Sequence, residues 1–157
     1  MNVTEVESKY YPGTTERTET VKLSSYNVKI WSDKCYLGMT VYVDDISRWN
    51  MLLSSKMADI IRSELILARW SDVYRHETSL GAASSMDQAC YHVKAERNRS
   101  TMTLTFRDSV AECYKLDEKH CKFSMELYYF EYDKLARALL NAIIHKAQYK
   151  KEEYDEY

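Results

Sequence analysis

The sequence is poor in the two residues that most often shape tight turns and phosphate-binding loops. Its 157 residues include three glycines and one proline. A P-loop or a dinucleotide-binding turn needs several closely spaced glycines, because the backbone must approach the phosphates. The scarcity of glycine therefore argues against both kinds of site, and turns must rely on Asn, Asp and Ser.

Long apolar runs and a secretory leader are also missing. No apolar stretch approaches the roughly 20 residues that a membrane-spanning helix requires. The first ten residues, MNVTEVESKY, contain neither a basic start nor an apolar segment, so they do not resemble a signal peptide. We therefore expect a cytoplasmic protein without a membrane partner. The length and the 45% hydrophobic content predict one soluble globular domain.

Catalytic signatures are absent from the chain. It contains no G-x-S-x-G, no glycine-rich phosphate loop and no H-E-x-x-H, which are the local motifs of several large enzyme classes. A catalytic thiol needs a nearby base, and the sequence dictates no pairing between its cysteines and histidines. We predict that the protein is not an enzyme and uses no cofactor.

Four cysteines occur without any C-x-x-C pair. One combination, Cys90, His92, Cys113 and Cys121, contains the donor set of a closed Cys₃His zinc site. Its spacing matches no standard zinc signature. In a reducing compartment scattered cysteines are usually free, mostly buried thiols. We favour that interpretation and predict no bound metal.

The charge balance excludes a strong global attraction to polyanions. The chain has 22 Lys and Arg against 24 Asp and Glu, a formal net charge of −2. A protein of this kind binds nucleic acid only through a local patch.

The hydrophobic pattern predicts an α+β fold with two main helices. Residues 21–43 alternate in polarity, which is typical of a β-hairpin. Residues 45–70 place apolar side chains on one stripe of a helix, with Glu64 falling on that stripe. Residues 71–87 read as a connection, residues 88–130 as two further hairpins, and residues 133–150 as the final helix.

The element order is therefore ββα-ββββα. Its simplest solution is an antiparallel sheet of about six strands with both helices packed on one face. We expect a mobile N-terminal arm over residues 1–20, a single domain over 21–150 and a charged tail over 151–157.

Apolar side chains behind the predicted helical stripes indicate a second buried surface. Either a partner protein, a second copy of the chain or another part of the same domain could cover it. The acidic end of the chain could add an electrostatic contact with a basic partner. The predicted partner-binding residues are Leu52, Ile66, Trp70, Leu140, Ile144, Glu152, Glu153, Asp155 and Glu156.

A basic hairpin provides the alternative. Basic residues cluster near the turn of the hairpin that spans residues 88–106, and one aromatic residue lies close to them. Such a hairpin can hold phosphates while the aromatic ring stacks on a base. The predicted nucleic-acid residues are Tyr91, Lys94, Arg97, Arg99 and Arg107.

The leading functional hypothesis is a non-enzymatic protein-binding module. Tyrosine suits interfaces because it combines a large rigid contact area with a polar tip, and the chain contains 14 tyrosines. A short, glycine-poor chain with free thiols is also typical of small phage or mobile-element accessory proteins. The finer hypothesis is inhibition of a host defence complex such as a nuclease, by a monomer or a homodimer. Nucleic-acid binding remains the alternative.

Overall fold

The computed structural model describes residues 5–8, 16–84, 86 and 88–155, with side chains described for 16–84, 86 and 88–148. The described chain forms two antiparallel sheets, each a simple meander. The strands of the N-terminal sheet are β1 (Glu5–Ser8), β2 (Arg17–Lys22), β3 (Asn27–Ser32), β4 (Leu37–Val43) and β5 (Ile46–Leu53). The strands of the C-terminal sheet are β6 (Val73–Gly81), β7 (Tyr91–Asn98), β8 (Thr101–Asp108) and β9 (Lys122–Tyr128).

Each sheet is followed by one long helix. Helix α1 (Ser55–Arg69) follows β5, and α4 (Tyr132–Asp155) follows β9 after a short 3₁₀ turn, Tyr129–Glu131. Two short helices, α2 (Ser109–Cys113) and α3 (Glu118–Cys121), lie between β8 and β9. The two halves therefore share one plan, a meander of strands and then a helix.

The long helices exchange partners between the halves. Helix α1 packs on β6 and β7 of the C-terminal sheet, whereas α4 packs on β2 and β3 of the N-terminal sheet, and the two helices contact each other. One cluster of buried apolar side chains spans both halves. Each long helix thus packs on the sheet of the other half, and the buried core is continuous between them.

The α+β class and the antiparallel pairing are confirmed, but the single six-stranded sheet is wrong. The described chain has nine strands in two sheets. The predicted connection over residues 71–87 contains β6. The second of the two hairpins predicted within residues 88–130 is interrupted by α2 and α3 before β9. Asp108 starts α2, because its carboxylate accepts hydrogen bonds from the amides of Val110 and Ala111.

The predicted helix over residues 45–70 is correct only from Ser55 onward. Asp44 and Asp45 both have positive φ, 51° and 63°, and form the two-residue loop of a tight β4–β5 hairpin. The helix begins after Ser54, whose side chain accepts a hydrogen bond from the Met57 amide. The first part of the apolar stripe is instead the inner face of β5.

Glu64 has partners, as its position on the apolar stripe requires. Its buried carboxylate accepts a hydrogen bond from the Tyr74 hydroxyl at 2.9 Å and lies 2.7 Å from Nδ1 of His76. Burial, together with this carboxylate, raises the pKa of Tyr74 to about 12. The network joins α1 to β6 across the helix–sheet contact.

The predicted chain ends differ from the observed boundaries. Strand β2 starts at Arg17, inside the predicted arm, and α4 continues to Asp155, inside the predicted tail. Residues 1–4, 9–15 and 156–157 lie outside the described residues. The structure therefore says nothing of these parts of the predicted arm and tail. In the described part of the chain no helix is long and apolar enough to cross a membrane.

Candidate nucleic-acid interface

One face of the N-terminal sheet is left uncovered by the helices. Along β2 to β5 the buried side chains point toward α4 and the core, and their neighbours point the other way. We call this outward surface the open face. Its side chains are those of Thr18, Thr20, Lys22, Asn27, Lys29, Trp31, Thr40, Tyr42, Asn50 and Leu52, with Gly38 among them.

The centre of the open face is a tryptophan that lies on a glycine. Trp31 of β3 is directly opposite Gly38 of β4, and a Cβ at position 38 would collide with three atoms of the Trp31 indole. Gly38 is itself buried, whereas Trp31 is partly exposed. The indole therefore lies against the backbone of Gly38, and part of it is exposed.

A second aromatic residue on the open face is paired with a cation. The Lys29 ammonium lies 5.6 Å from the centre of the Tyr42 ring. On the neighbouring strands the Thr40 hydroxyl donates a 2.7 Å hydrogen bond to Oδ1 of Asn50. A concavity of about 370 Å³ lies beside the Lys29–Tyr42 pair, lined by Thr18, Thr20, Lys22, Asn27, Lys29, Tyr42 and Asp45.

The described strands of the two sheets carry different charge patterns on their outer faces. The outward side chains described on β2 to β5 include two lysines and no carboxylate, and Asp45 in the β4–β5 turn borders the concavity. At the edge of the same sheet, β1 adds Glu5 and Glu7 at the register positions opposite Thr20 and Thr18. The outer face of the C-terminal sheet is a network of ion pairs. Its pairs are Arg75–Glu96 at 3.9 Å, Lys94–Glu96 at 2.7 Å, Arg107–Glu77 at 2.7 Å and Arg107–Glu112 at 2.9 Å.

These ion pairs include two residues of the predicted basic hairpin. The hydrogen bond from Lys94 lowers the pKa of Glu96, and the one from Arg107 lowers the pKa of Glu112. Both cations thus have carboxylate partners, which a phosphate would have to displace. Arg99 lies in the exposed β7–β8 turn with a φ of 58°.

The other two residues of that set face the interior. Tyr91 is buried with its ring edge-on to Trp49 at 6.1 Å. Arg97 is 7% exposed. Its guanidinium donates hydrogen bonds to the carbonyls of Ala68 and Arg69 and lies 4.6 Å from the Tyr129 ring centre. Arg97 therefore satisfies the C-terminal carbonyls of α1, and the structure does not bring the five residues to one surface.

The predicted partner-binding residues lie on two surfaces. Leu52 is on the open face of the N-terminal sheet, because it belongs to β5 and not to a helix. On the helices, Trp70 is 77% and Ile144 47% exposed, while Ile66 and Leu140 are partly buried. The side chains of Glu152, Glu153, Asp155 and Glu156 lie outside the described residues.

An aromatic cluster that the sequence did not indicate lies where the end of α1 meets the start of α4. We call the surface around Trp70, Tyr129 and Tyr132 the helical side. The Arg69 guanidinium lies 5.3 Å from the Trp70 ring, 5.0 Å from Tyr129 and 5.7 Å from Tyr132. Beside it, the rings of Tyr128 and Phe130 are stacked at 5.5 Å, and both are more than half exposed.

The candidate zinc ligands do not converge. Among the described residues no group of three or more His, Cys, Asp or Glu side chains could hold a metal ion. Cys121 is buried and donates to the Leu116 carbonyl at 3.3 Å, and burial raises the pKa of its thiol. Cys113 is exposed and Cys90 is partly buried, while His92 is on the outer face of β7.

Two features of the sequence indicate the open face, although the predicted sites did not include it. Lys29 and Trp31 alternate with Val28 and Ile30, so a period of two places them on the face opposite the core. A glycine inside a strand often marks a close approach by another group, and Gly38 is such a glycine. What the sequence could not supply is the pairing of β3 with β4 that puts Trp31 on Gly38.

Comparisons with known proteins add no further assignment. No family model matches the chain, and no curated protein matches its sequence.

Proposed function

We propose that the protein binds single-stranded nucleic acid across the open face of the N-terminal sheet. The observation that carries the proposal is the Trp31 indole laid on Gly38. An aromatic ring fixed on a sheet is a platform on which an unstacked base can lie, and base–aromatic stacking contributes about 1–3 kcal/mol per base. A duplex keeps its bases stacked and paired, so the open face favours single strands.

The residues around Trp31 supply the other interactions that a single strand requires. Lys22 and Lys29 can contact phosphates, and Tyr42 can stack on a second base. Tyr42 follows Gly38 by four residues, and Trp31 lies on Gly38. The strand positions beneath the Trp31 and Tyr42 rings are therefore about 13 Å apart, so the two rings would stack on different bases. The hydroxyls of Thr18 and Thr20 and the Asn27 amide can donate to phosphate or sugar oxygens.

The proposal predicts a weak salt dependence to which Lys29 contributes. One phosphate contact on a single strand contributes about −0.7 to the slope of log K against log salt. Lys29→Gln should reduce the magnitude of that slope by about 0.7 and weaken binding. The measurement is a fluorescence-anisotropy titration of a labelled 15-nucleotide DNA, with a hydroxyl at its 5′ end, between 50 and 200 mM salt.

Two matched variants on the C-terminal sheet test the alternative site. Lys94→Gln and Arg99→Gln remove the same charge from the predicted basic hairpin, and we expect both to bind like the wild-type protein. A slope that changes with Lys94 or Arg99 but not with Lys29 would move the interface to the basic hairpin. Equal binding of duplex and single strand would also contradict the open-face site.

A second candidate function is binding of a protein at the helical side. The observation that favours it is the exposure of Trp70 at 77%, next to Phe130 at 58% and Tyr128 at 51%. Large exposed aromatic side chains are enriched at protein interfaces. Native mass spectrometry tests whether the partner is a second copy of the chain. A dimer that Trp70→Ser converts to a monomer would support this candidate, and a monomeric wild-type protein would reject the homodimer. Inhibition of a host complex and cytoplasmic location remain predictions from the sequence.

A further inference from the structure

A second concavity lies between the two halves of the fold. It has a volume of about 770 Å³ and is bounded by β5 on one side and by residues of α2, α3 and the segment between them on the other. Trp49 and Tyr91, both buried and in edge-to-face contact, lie at its inner end. Its volume falls in the range of small-molecule sites, roughly 300–1,000 Å³. We call it the inter-sheet cleft.

Two exposed cations, Arg48 and Lys119, line the inter-sheet cleft, and the exposed His120 lies beside Lys119 in the chain. Asp108 is the carboxylate among its lining residues, and its Oδ1 already accepts from the amides of Cys90, Val110 and Ala111 at 3.3, 3.1 and 3.3 Å. The amides stabilise the Asp108 charge without cancelling it, and the two cations outnumber this one carboxylate, so the lining favours an anionic ligand.

The remaining walls of the cleft are apolar. Ile46 and Leu116 are 54% and 52% exposed and both line it. Covering such exposed aliphatic side chains with an apolar group is favourable, because it removes apolar surface from water. Nε1 of Trp49 itself is buried, with no hydrogen-bond partner among the described residues. The lining therefore combines apolar walls with two exposed cations.

The inter-sheet cleft also meets the open face. Asn50 of β5 lines the cleft, and its Oδ1 accepts the hydrogen bond from Thr40 on the open face. A ligand in the cleft and a strand on the open face would therefore both reach Asn50 on the same edge strand.

From this arrangement we infer that the inter-sheet cleft binds a phosphorylated nucleotide, with its base between Ile46 and Leu116 and its phosphate at Arg48 and Lys119. The nucleotide is either free or the 5′-phosphorylated end of a strand that crosses the open face. Only the second source rests on the function proposed above.

The test compares three probes on the wild-type protein and on two variants. The probes are AMP, a 15-nucleotide DNA with a 5′-phosphate and the same DNA with a 5′-hydroxyl, each titrated by calorimetry. The variants are Arg48→Gln/Lys119→Gln, which changes two exposed side chains, and Trp31→Ala, which alters the open face alone.

We expect AMP, the 5′-phosphorylated DNA or both to bind in a manner that depends on Arg48 and Lys119. The double variant should lose about tenfold or more in affinity for such a probe, the effect of one lost charged contact. AMP binding that Trp31→Ala leaves intact identifies the free nucleotide as a ligand. A tenfold preference for the 5′-phosphate that disappears in the double variant identifies the strand end.

The inference is overturned if AMP does not bind and the two DNAs bind equally, or if the double variant matches the wild type for every probe. The 5′-hydroxyl DNA keeps the two proposals apart. Its binding depends on the open face alone, so a cleft that binds nothing leaves that result unchanged. Absence of 5′-hydroxyl DNA binding with AMP still bound would reject the open face and retain the cleft.

Discussion

Replacing Trp31 with alanine should weaken binding of the 5′-hydroxyl single strand by roughly ten- to a hundredfold, because one base loses its stacking surface. The fold should remain intact, since Trp31 is partly exposed on the outer side of β3 and its loss opens no cavity in the core. The measurement is the anisotropy titration at 50 mM salt, with circular dichroism to confirm that the variant is folded.

Gly38→Ala tests the geometry behind that prediction without removing the indole. The new methyl group would collide with the Trp31 ring, so the ring must leave its place against the sheet. We expect weaker binding than wild type, because the platform is no longer held flat. Trp70→Ala is the matched control, since it removes an exposed tryptophan on the helical side, and it should bind normally. Full binding by Trp31→Ala, or loss with Trp70→Ala alone, would contradict the open-face site.

Replacing Glu131 with alanine should lower the free energy of unfolding by about 3 kcal/mol. The carboxylate is 2% exposed and accepts hydrogen bonds from the amides of Ser24 and Tyr128 at 2.7 and 3.1 Å. Hydrogen bonds to a charged group contribute about 1.5–3 kcal/mol each. Because Ser24 precedes β3 and Tyr128 ends β9, this one side chain connects the two halves.

Urea denaturation measures the loss, and two variants calibrate it. Glu131→Gln keeps one acceptor oxygen and should lose less than alanine. Glu126→Ala removes an exposed carboxylate from the outer face of β9 and should change the free energy of unfolding by less than about 0.5 kcal/mol. An alanine variant at 131 as stable as the wild type would show that the halves do not depend on this connection.

Local patterns predicted much of the fold. The alternation of Met102, Leu104 and Phe106 with threonines is the burial pattern of β8. The helical pattern was only partly correct in α1, because its buried side includes Met57 and Glu64 whereas Leu67 is exposed. The prediction of a helix was wrong at β5, because the apolar residues there fit a helical stripe and an alternating strand equally well. The Asp44–Asp45 hairpin decides between them, because it returns the chain antiparallel to β4.

The division into two sheets could not be read from local patterns. The division depends on two sets of long-range contacts. Helix α1 packs on the C-terminal sheet, and α4 packs on the N-terminal sheet. The same limit applies to the sites. Arg97 looked like a phosphate contact because arginine near a turn is usually solvated, yet its guanidinium reaches the end of α1.

The most direct test of the open face is an NMR titration that follows the indole N–H signals of the three tryptophans while 5′-hydroxyl single-stranded DNA is added. The three report different places: Trp31 on the open face, Trp49 in the buried core and Trp70 on the helical side. The account predicts that the Trp31 signal shifts with the concentration of DNA while the signals of Trp49 and Trp70 stay in place. A shift confined to Trp70, or no shift at Trp31 at saturating DNA, would contradict it.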